Sequence, residues 1–407
     1  MSNKQKKIFK FIVIALVVFL IGEVIYFGIK YYNDRKNSVY YTVINSAILE
    51  DNDNYVGVGF SDYRNSKLNK YEKGYYKATI SNYKDGKLLD EVGFKTGYNS
   101  YFNDVIKVKD GYIAVGQVEM TKDQHDDGLS EGLIIKYDNN FKQVWRKNIS
   151  VIGKTEFYKI KQDGDNYVVV GSSVYGNGYM GNHTTGGGII LKISKDGEEL
   201  DRANNGGPYS GKFNDVLVED DGYVVVGLGK SNSGIIIKYN KELKKEWSNS
   251  YGYTDKNGIT RIEKLDDDYI TSTTKLASPK DTSNVSAALV LFNSDGKKLD
   301  DVKYTKDKIN VFQDLAVKDE QVFVSGYTGT KTDNSVKTDA IIVKYDKDLY
   351  EEESKVLNEK NNEYFIKLYL KSKKVYALGY TNSKIKEYKT NGYDYFPIIK
   401  TYNYDLK

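Results

Sequence analysis

The stretch that decides the fold reads Phe102-Asn103-Asp104-Val105, then Asp110-Gly111-Tyr112-Ile113-Ala114-Val115-Gly116, then Leu133-Ile134-Ile135-Lys136-Tyr137-Asp138, then Trp145. Its apolar runs are short and β-branched. They are separated by Lys109-Asp110-Gly111 and Asp138-Asn139-Asn140, residues that favour tight turns. Strands are predicted at 102–109, 112–118, 132–138 and 142–149. The same wording returns as Tyr167-Val168-Val169-Val170-Gly171 and Tyr223-Val224-Val225-Val226-Gly227. With the closing glycine as ruler, the equivalent positions are Gly59, Gly116, Gly171, Gly227, Thr273, Gly326 and Gly379, spaced 57, 55, 56, 46, 53 and 53 residues apart.

A four-stranded sheet of this kind cannot bury both faces without neighbours, so a period near 50 residues points to a ring of sheets. The predicted fold is all-β: a seven-bladed β-propeller of four-stranded antiparallel blades over 44–407. Having only 3 Pro suits uninterrupted ladders. The seventh copy stops at Tyr402-Asn403-Tyr404-Asp405-Leu406-Lys407, which matches the turn Tyr345-Asp346-Lys347-Asp348-Leu349-Tyr350 after a third strand. The segment from about Asn37 to Thr42 is expected to supply the fourth strand and hide the edge.

The D-G-Y-[IV]-x-V-G strand, followed by I-I-K-Y-D and often Trp, resembles the bacterial seven-bladed propeller repeats of the quinoprotein-like and kelch-like kind. The resemblance covers about 44–407. It implies the architecture and leaves the activity open, because such propellers serve as binding modules, assembly factors and enzymes. Relatives that hold a quinone stack it on a Trp-rich channel floor. Here Trp145 and Trp247 are the only Trp and share one column of the repeat, so no cofactor is expected.

Composition excludes several chemistries. With no Cys among 407 residues, disulfides, thiolate zinc sites and cysteine nucleophiles are ruled out. His125 and His183 are too few for a multi-histidine metal cage or a haem pocket. The formal charge of +4 is local: residues 1–36 hold seven Lys/Arg and two acids, leaving 53 basic and 54 acidic residues in 37–407. No nucleic-acid footprint follows from that balance.

Met1–Lys7 is basic, and Ile8–Ile29 is apolar except for Lys10 and Glu23. At 1.5 Å per residue the run spans roughly 33 Å, enough for a hydrocarbon core of about 30 Å. The reading is a cytoplasmic segment 1–7, a transmembrane signal-anchor 8–29, and a linker with the ring-closing strand at 30–43. The rival is a cleaved secretory signal, since the uncharged part Phe11–Gly22 is short, but no Ala-x-Ala-like site follows it. Lys4, Lys6, Lys7 and Lys10 favour a cytoplasmic amino terminus, which makes the protein single-pass in the cell membrane with its C-terminal domain extracytoplasmic.

Twelve residues before the ruler stand Asp104, Lys159, Asp215, Arg261, Asp314 and Lys367, acid and base in alternation. An inter-blade belt of ion pairs is expected, with Ser46-Ala47 as its neutral gap. Phe102, Phe157, Phe213, Ile259, Phe312 and Phe365, two residues earlier, are expected on the same strand face. Columns such as Lys136, Lys192 and Lys238, or Tyr112, Tyr167 and Tyr223, recur once per copy and read as scaffold.

Function is expected where the copies differ, in the links between second and third strands at 60–76, 117–131, 172–187, 274–286, 327–339 and 380–394. The candidate ligand face is His125, Asp127, Tyr175, Tyr179, His183, Tyr327, Tyr388 and Tyr393. Tyr offers flat area with a polar tip, as peptide and carbohydrate sites require. A metal held by His125, Asp127 and His183 is weighed against polar loops that only solvate, and no metal is expected. No nucleophile, base and orienting group stand together. The expectation is a membrane-tethered extracytoplasmic binding or scaffold module for a protein, peptide or cell-wall glycan. The alternative is a polysaccharide hydrolase or lyase using Asp/Glu on the loop face.

Overall fold

The computed structural model describes residues 39–50, 54–64, 76–84, 86–94, 96, 98–151, 153–174, 186–205, 211–278, 281–332, 335–358, 362–382 and 396–407. The chain divides into two compact units, Met1–Tyr41 with Asp62–Gly74 and Thr42–Ser61 with Tyr75–Lys407. Of the first unit only 39–41 and 62–64 are described, both extended. The second unit carries the repeats.

Its strands pair antiparallel within each copy. Copy one pairs Val39–Leu49, Asn54–Arg64, Lys77–Lys84 and Lys87–Phe94 in that order. Copy two pairs Ser100–Val108, Gly111–Val118, Glu131–Tyr137 and Gln143–Ile149, within two residues of the predicted limits. Copy three pairs Lys154–Asp163, Asn166–Val174, Gly186–Ile193 and Glu199–Asn204, and copy four Lys212–Val218, Gly222–Leu228, Ser233–Asn240 and Lys245–Tyr253. Copy five (Ile259–Leu265, Asp268–Ser278, Asp281–Phe292, Lys298–Tyr304) and copy six (Ile309–Lys318, Gln321–Thr332, Ser335–Tyr345, Glu351–Leu357) share one eight-stranded sheet. Copy seven pairs Glu363–Lys371, Lys374–Thr381 and Phe396–Asn403. The unit is an all-β propeller of four-stranded antiparallel blades.

The count differs from the expected seven: among the described residues the pairing outlines five sheets of four strands or more and a sixth of three. The physical reason lies in copies five and six, whose sheets are fused by a single parallel pair, Val285 with Ile309, and in copy seven, which shows three strands. Two links expected to be irregular are ribbons instead. Pairing runs out to Ser278 with Asp281 and to Thr332 with Ser335. Of the segment from about Asn37 to Thr42 expected as the closing strand, 37–38 lie outside the described residues and 39–42 begin the strand Val39–Leu49 beside Asn54–Arg64. No helix of the described residues is long and apolar enough to cross a membrane, and the 8–29 segment lies outside them.

The innermost strand of copies two to seven carries a bulge, and it overturns the same-face expectation. Phe102 sits opposite Gly116 but Asp104 sits opposite Val115, so Asn103 is the extra residue. Because Gly116 and Val115 are adjacent, their partners point to opposite faces. Phe102 packs back toward copy one, whereas Asp104 faces copy three. The same shift occurs at Phe213/Asp215, Ile259/Arg261, Phe312/Asp314 and Phe365/Lys367. It also explains the ruler: a Cβ on Gly116 would stand inside the Tyr101 carbonyl oxygen. In copy five the ruler is Thr273, opposite Ile259, and the residue at the Tyr101 position is Gly258, whose carbonyl accepts the Thr273 hydroxyl at 2.8 Å.

Seven apolar clusters fill the seams between successive copies, the last made by Ile44, Ala47, Tyr55, Tyr83, Tyr376, Leu378 and Tyr380 of copies one and seven. At the rim, six turns repeat one device. A side chain such as Asp138 or Asn240 accepts two backbone N–H groups at 2.9 to 3.1 Å, and the third residue after it takes positive φ. That residue is Phe141, Leu243, Leu349 or Leu406 in four copies, all buried. In copies three and five it is Gly197 and Gly296, and the vacated space holds Trp145 and Trp247 of the preceding copy.

Three of the recurrent Tyr, Tyr112, Tyr223 and Tyr269, latch one copy to the next. The Tyr112 hydroxyl donates to Glu50 at 2.9 Å and Tyr269 to Glu219 at 3.0 Å, while Tyr223 donates to Asp163. Between copies seven and one, Tyr369 and Tyr380 donate to the carbonyls of Ala47 and Ile44.

Candidate functional site

The inner strands converge on the axis, and the bulge aims their charged residues at the neighbouring copy. Asp104 accepts the Ile160 N–H at 3.2 Å, Asp215 the Ile262 N–H at 3.3 Å and Asp314 the Leu368 N–H at 2.9 Å. Lys159 lies 3.5 Å from Asp104, Lys367 3.3 Å from Asp314, and Arg261 Nε 3.0 Å from Asp314. Ser46 donates to Asp104 at 2.7 Å. Burial pushes the Asp314 carboxyl up, but Lys367, Arg261 and Lys159 outweigh it and hold it at about 2. Asp104 is lowered in the same way by Lys159 and Lys367 against the effect of burial. Arg261 is stabilised as a cation against its own burial by Asp314, Asp215 and, from three copies away, Asp104. These charges therefore meet across the axis and neutralise one another, which leaves little for a ligand.

The opening above them is different. The residue before each Phe-column position reads Tyr101, Glu156, Lys212, Gly258, Val311 and Tyr364, a column that changes from copy to copy. It lies at the end where second strands run out to the links, as the pairing of Ser100 with Val118 shows. Phe60, Tyr76 and Tyr101, all half-buried, form a three-ring cluster with centroids 5.0 to 5.6 Å apart. Tyr327 and Tyr364 meet edge to face at 5.5 Å. Burial raises the Tyr101 hydroxyl, with Glu119, Tyr76 and Glu156 adding to it, and raises that of Tyr327 with a contribution from Asp255.

The polar groups of the mouth are unevenly matched. Glu156 accepts from Asn103 at 3.2 Å and Tyr158 at 3.0 Å and pairs with Lys154 at 3.4 Å. Asp255 accepts from the Asn257 backbone and side chain at 2.9 and 2.8 Å, and burial raises its carboxyl. Lys212 forms no ion pair or hydrogen bond among the described residues. Its ammonium lies 5.3 Å over the Tyr158 ring, and burial depresses its pKa despite the pull of Glu156 and Asp255.

Of the sequence candidates among the described residues, His125, Asp127 and Tyr327, only Tyr327 falls in this mouth. His125 sits on the short helix Lys122–Asp126, its Nδ1 2.7 Å from Glu119, and Asn99 donates to the same carboxylate oxygen at 3.0 Å. Asp127 is the exposed cap of that helix and does not join His125 in a site. No group of three metal-ligating side chains occurs among the described residues. Tyr175, Tyr179, His183, Tyr388 and Tyr393 lie outside the described residues. Sequence reasoning missed Tyr101, Glu156, Tyr158, Lys212, Asp255 and Tyr364. The signal was the varied column beside an invariant-looking aromatic one.

No family model and no curated protein matches the chain. Solved structures do. The β-propeller domain of the Trilobed protease from Pyrococcus furiosus is 12% identical, covering 83% of this chain and 91% of that one, at a TM-score of 0.41. The Pyrococcus horikoshii acylaminoacyl peptidase is 10% identical, with 91% of this chain aligned to 52% of that one at a TM-score of 0.46. The phage phi92 endosialidase is 8% identical over 90% and 69% of the two chains, at a TM-score of 0.40. The likeness is one of propeller architecture.

Proposed function

We propose that the protein is a binding module whose ligand, a cell-wall glycan or a peptide, seats in the loop-face mouth of a seven-bladed ring. Residues 8–29 hold the module as a single-pass anchor with the C-terminal domain outside the cytoplasm, a reading that rests on the apolar run and the lysines before it. The seven-blade count rests on the seven seam clusters and on the single residue pair that fuses copies five and six. Binding rests on one observation: half-buried aromatic rings, and a lysine with no ion pair among the described residues, stand at the link end of the inner strands in a column that changes from copy to copy. Aromatic faces are the usual platform for flat ligands.

The test is a glycan array together with capture of cell-envelope components by the full chain. Phe60→Ala with Tyr101→Ala should weaken whatever binds by roughly tenfold or more. Binding that ignores both substitutions removes the mouth from consideration. The raised Asp255 carboxyl also keeps the polysaccharide hydrolase or lyase reading in play. Release of new reducing ends that stops in Asp255→Asn would favour it.

A further inference from the structure

We propose that the mouth is built for an acidic carbohydrate, one whose sugar ring lies on the aromatic walls and whose carboxylate closes on Lys212. The inference rests on the mouth being the binding site and names what it selects.

Three features point the same way. First, Lys212 has no carboxylate within ion-pair distance among the described residues, whereas Lys154 is paired with Glu156. A half-buried ammonium over a ring, with Glu156 and Asp255 nearby but beyond ion-pair distance, is undercompensated, and a ligand anion supplies what is lacking. Second, the groups flanking it, Glu156 and Asp255, are acceptors. Burial raises the Asp255 carboxyl, which marks a site poor in water. Acceptors want donors, and a sugar brings several hydroxyls per ring where an extended peptide brings one N–H per residue. Third, Phe60, Tyr76 and Tyr101 present a compact aromatic wall, suited to the C–H face of a pyranose. A dianionic phosphate would meet Glu156 and Asp255 at twice the charge, so a single carboxylate fits the balance better.

The experiment compares three probes on the full chain by titration calorimetry: an oligogalacturonate, the matching neutral oligosaccharide and a polyglutamate peptide. The expected order is oligogalacturonate first, with at least a tenfold margin over the neutral sugar that shrinks as salt rises. Lys212→Gln should erase that margin with a thermal melt changed little, because the Lys212 side chain makes one contact over the Tyr158 ring and no hydrogen bond or ion pair among the described residues, and Lys212→Arg should keep it within about threefold. If both sugars bind alike and Lys212→Gln changes nothing, while Phe60→Ala with Tyr101→Ala still abolishes binding, the acidic selectivity is wrong and the mouth stands. If the peptide binds best, or the oligogalacturonate does not bind at all, the carbohydrate assignment falls. If the aromatic substitutions have no effect on any probe, the site itself falls.

Discussion

The rim gap between neighbouring copies is filled in two ways. Between copies two and three, and again between four and five, a tryptophan from one copy enters the space over a glycine in the next: Trp145 stands 3.0 Å from where a Gly197 Cβ would be, and Trp247 overlies Gly296. Between copies one and two, three and four, five and six, and six and seven, the next copy supplies the plug itself, as Phe141, Leu243, Leu349 and Leu406. The column that holds Trp is then acidic: Asp90, Asp201, Asp300 and Glu353. One gap thus takes either a large residue across a small one or a small polar residue across a large one. Packing volume, not residue identity, is what repeats.

The belt cuts across this difference, so breaking it should cost most and cost alike at both kinds of seam. Asp104→Asn, at a tryptophan seam, and Asp314→Asn, at a leucine seam, should each lose about 3 kcal/mol in urea unfolding. Unequal losses would tie the belt to the rim packing. Both carboxyls are depressed in the folded state, so their contribution is full above the unfolded value near 4 and is lost as pH falls through the lowered folded value, about 2 for Asp314. Acid titration of each variant should lack that part of the wild-type loss.

Leu243→Gly empties a leucine seam and should cost about 2 to 3 kcal/mol, part of the cavity cost being offset by relief of positive φ. Gly296→Leu overfills a tryptophan seam and should cost about 2 kcal/mol. Adding Trp247→Asp to it should restore most of the loss; if the double variant is merely the sum of its parts, the two seams are not alternatives for one gap. Tyr269→Phe, which removes one hydroxyl from Glu219, should cost about 1 kcal/mol by the same measurement.

Much of this was legible in the residues, and the limits have physical causes. Strand limits and the ruler glycines follow from local alternation and turn chemistry, which one copy already displays. The bulge does not: the spacing of Phe102 and Asp104 promises one face, and only the extra residue Asn103 sends them to two. Trp145 and Gly197 lie far apart in sequence, so their complementarity emerges only when copies are set side by side. The mouth was missed because its residues open regular strands, while attention fell on the links. Five of the eight ligand-face candidates lie in links outside the described residues.

The alternation of acid and base along the belt carries a parity problem. In the proposed seven-membered ring, two colours cannot alternate without two like neighbours, and the chain leaves one place unpainted at Ser46. The join of copies seven and one falls beside that place, and the bonds that fasten it are tyrosine hydroxyls on the backbone carbonyls of Ala47 and Ile44. Neither partner takes up a proton in acid. Where every acid clamp of the circle slackens as its carboxyl is protonated, this join keeps its grip, so an acidified ring comes apart first at the clamps and last where its two ends meet.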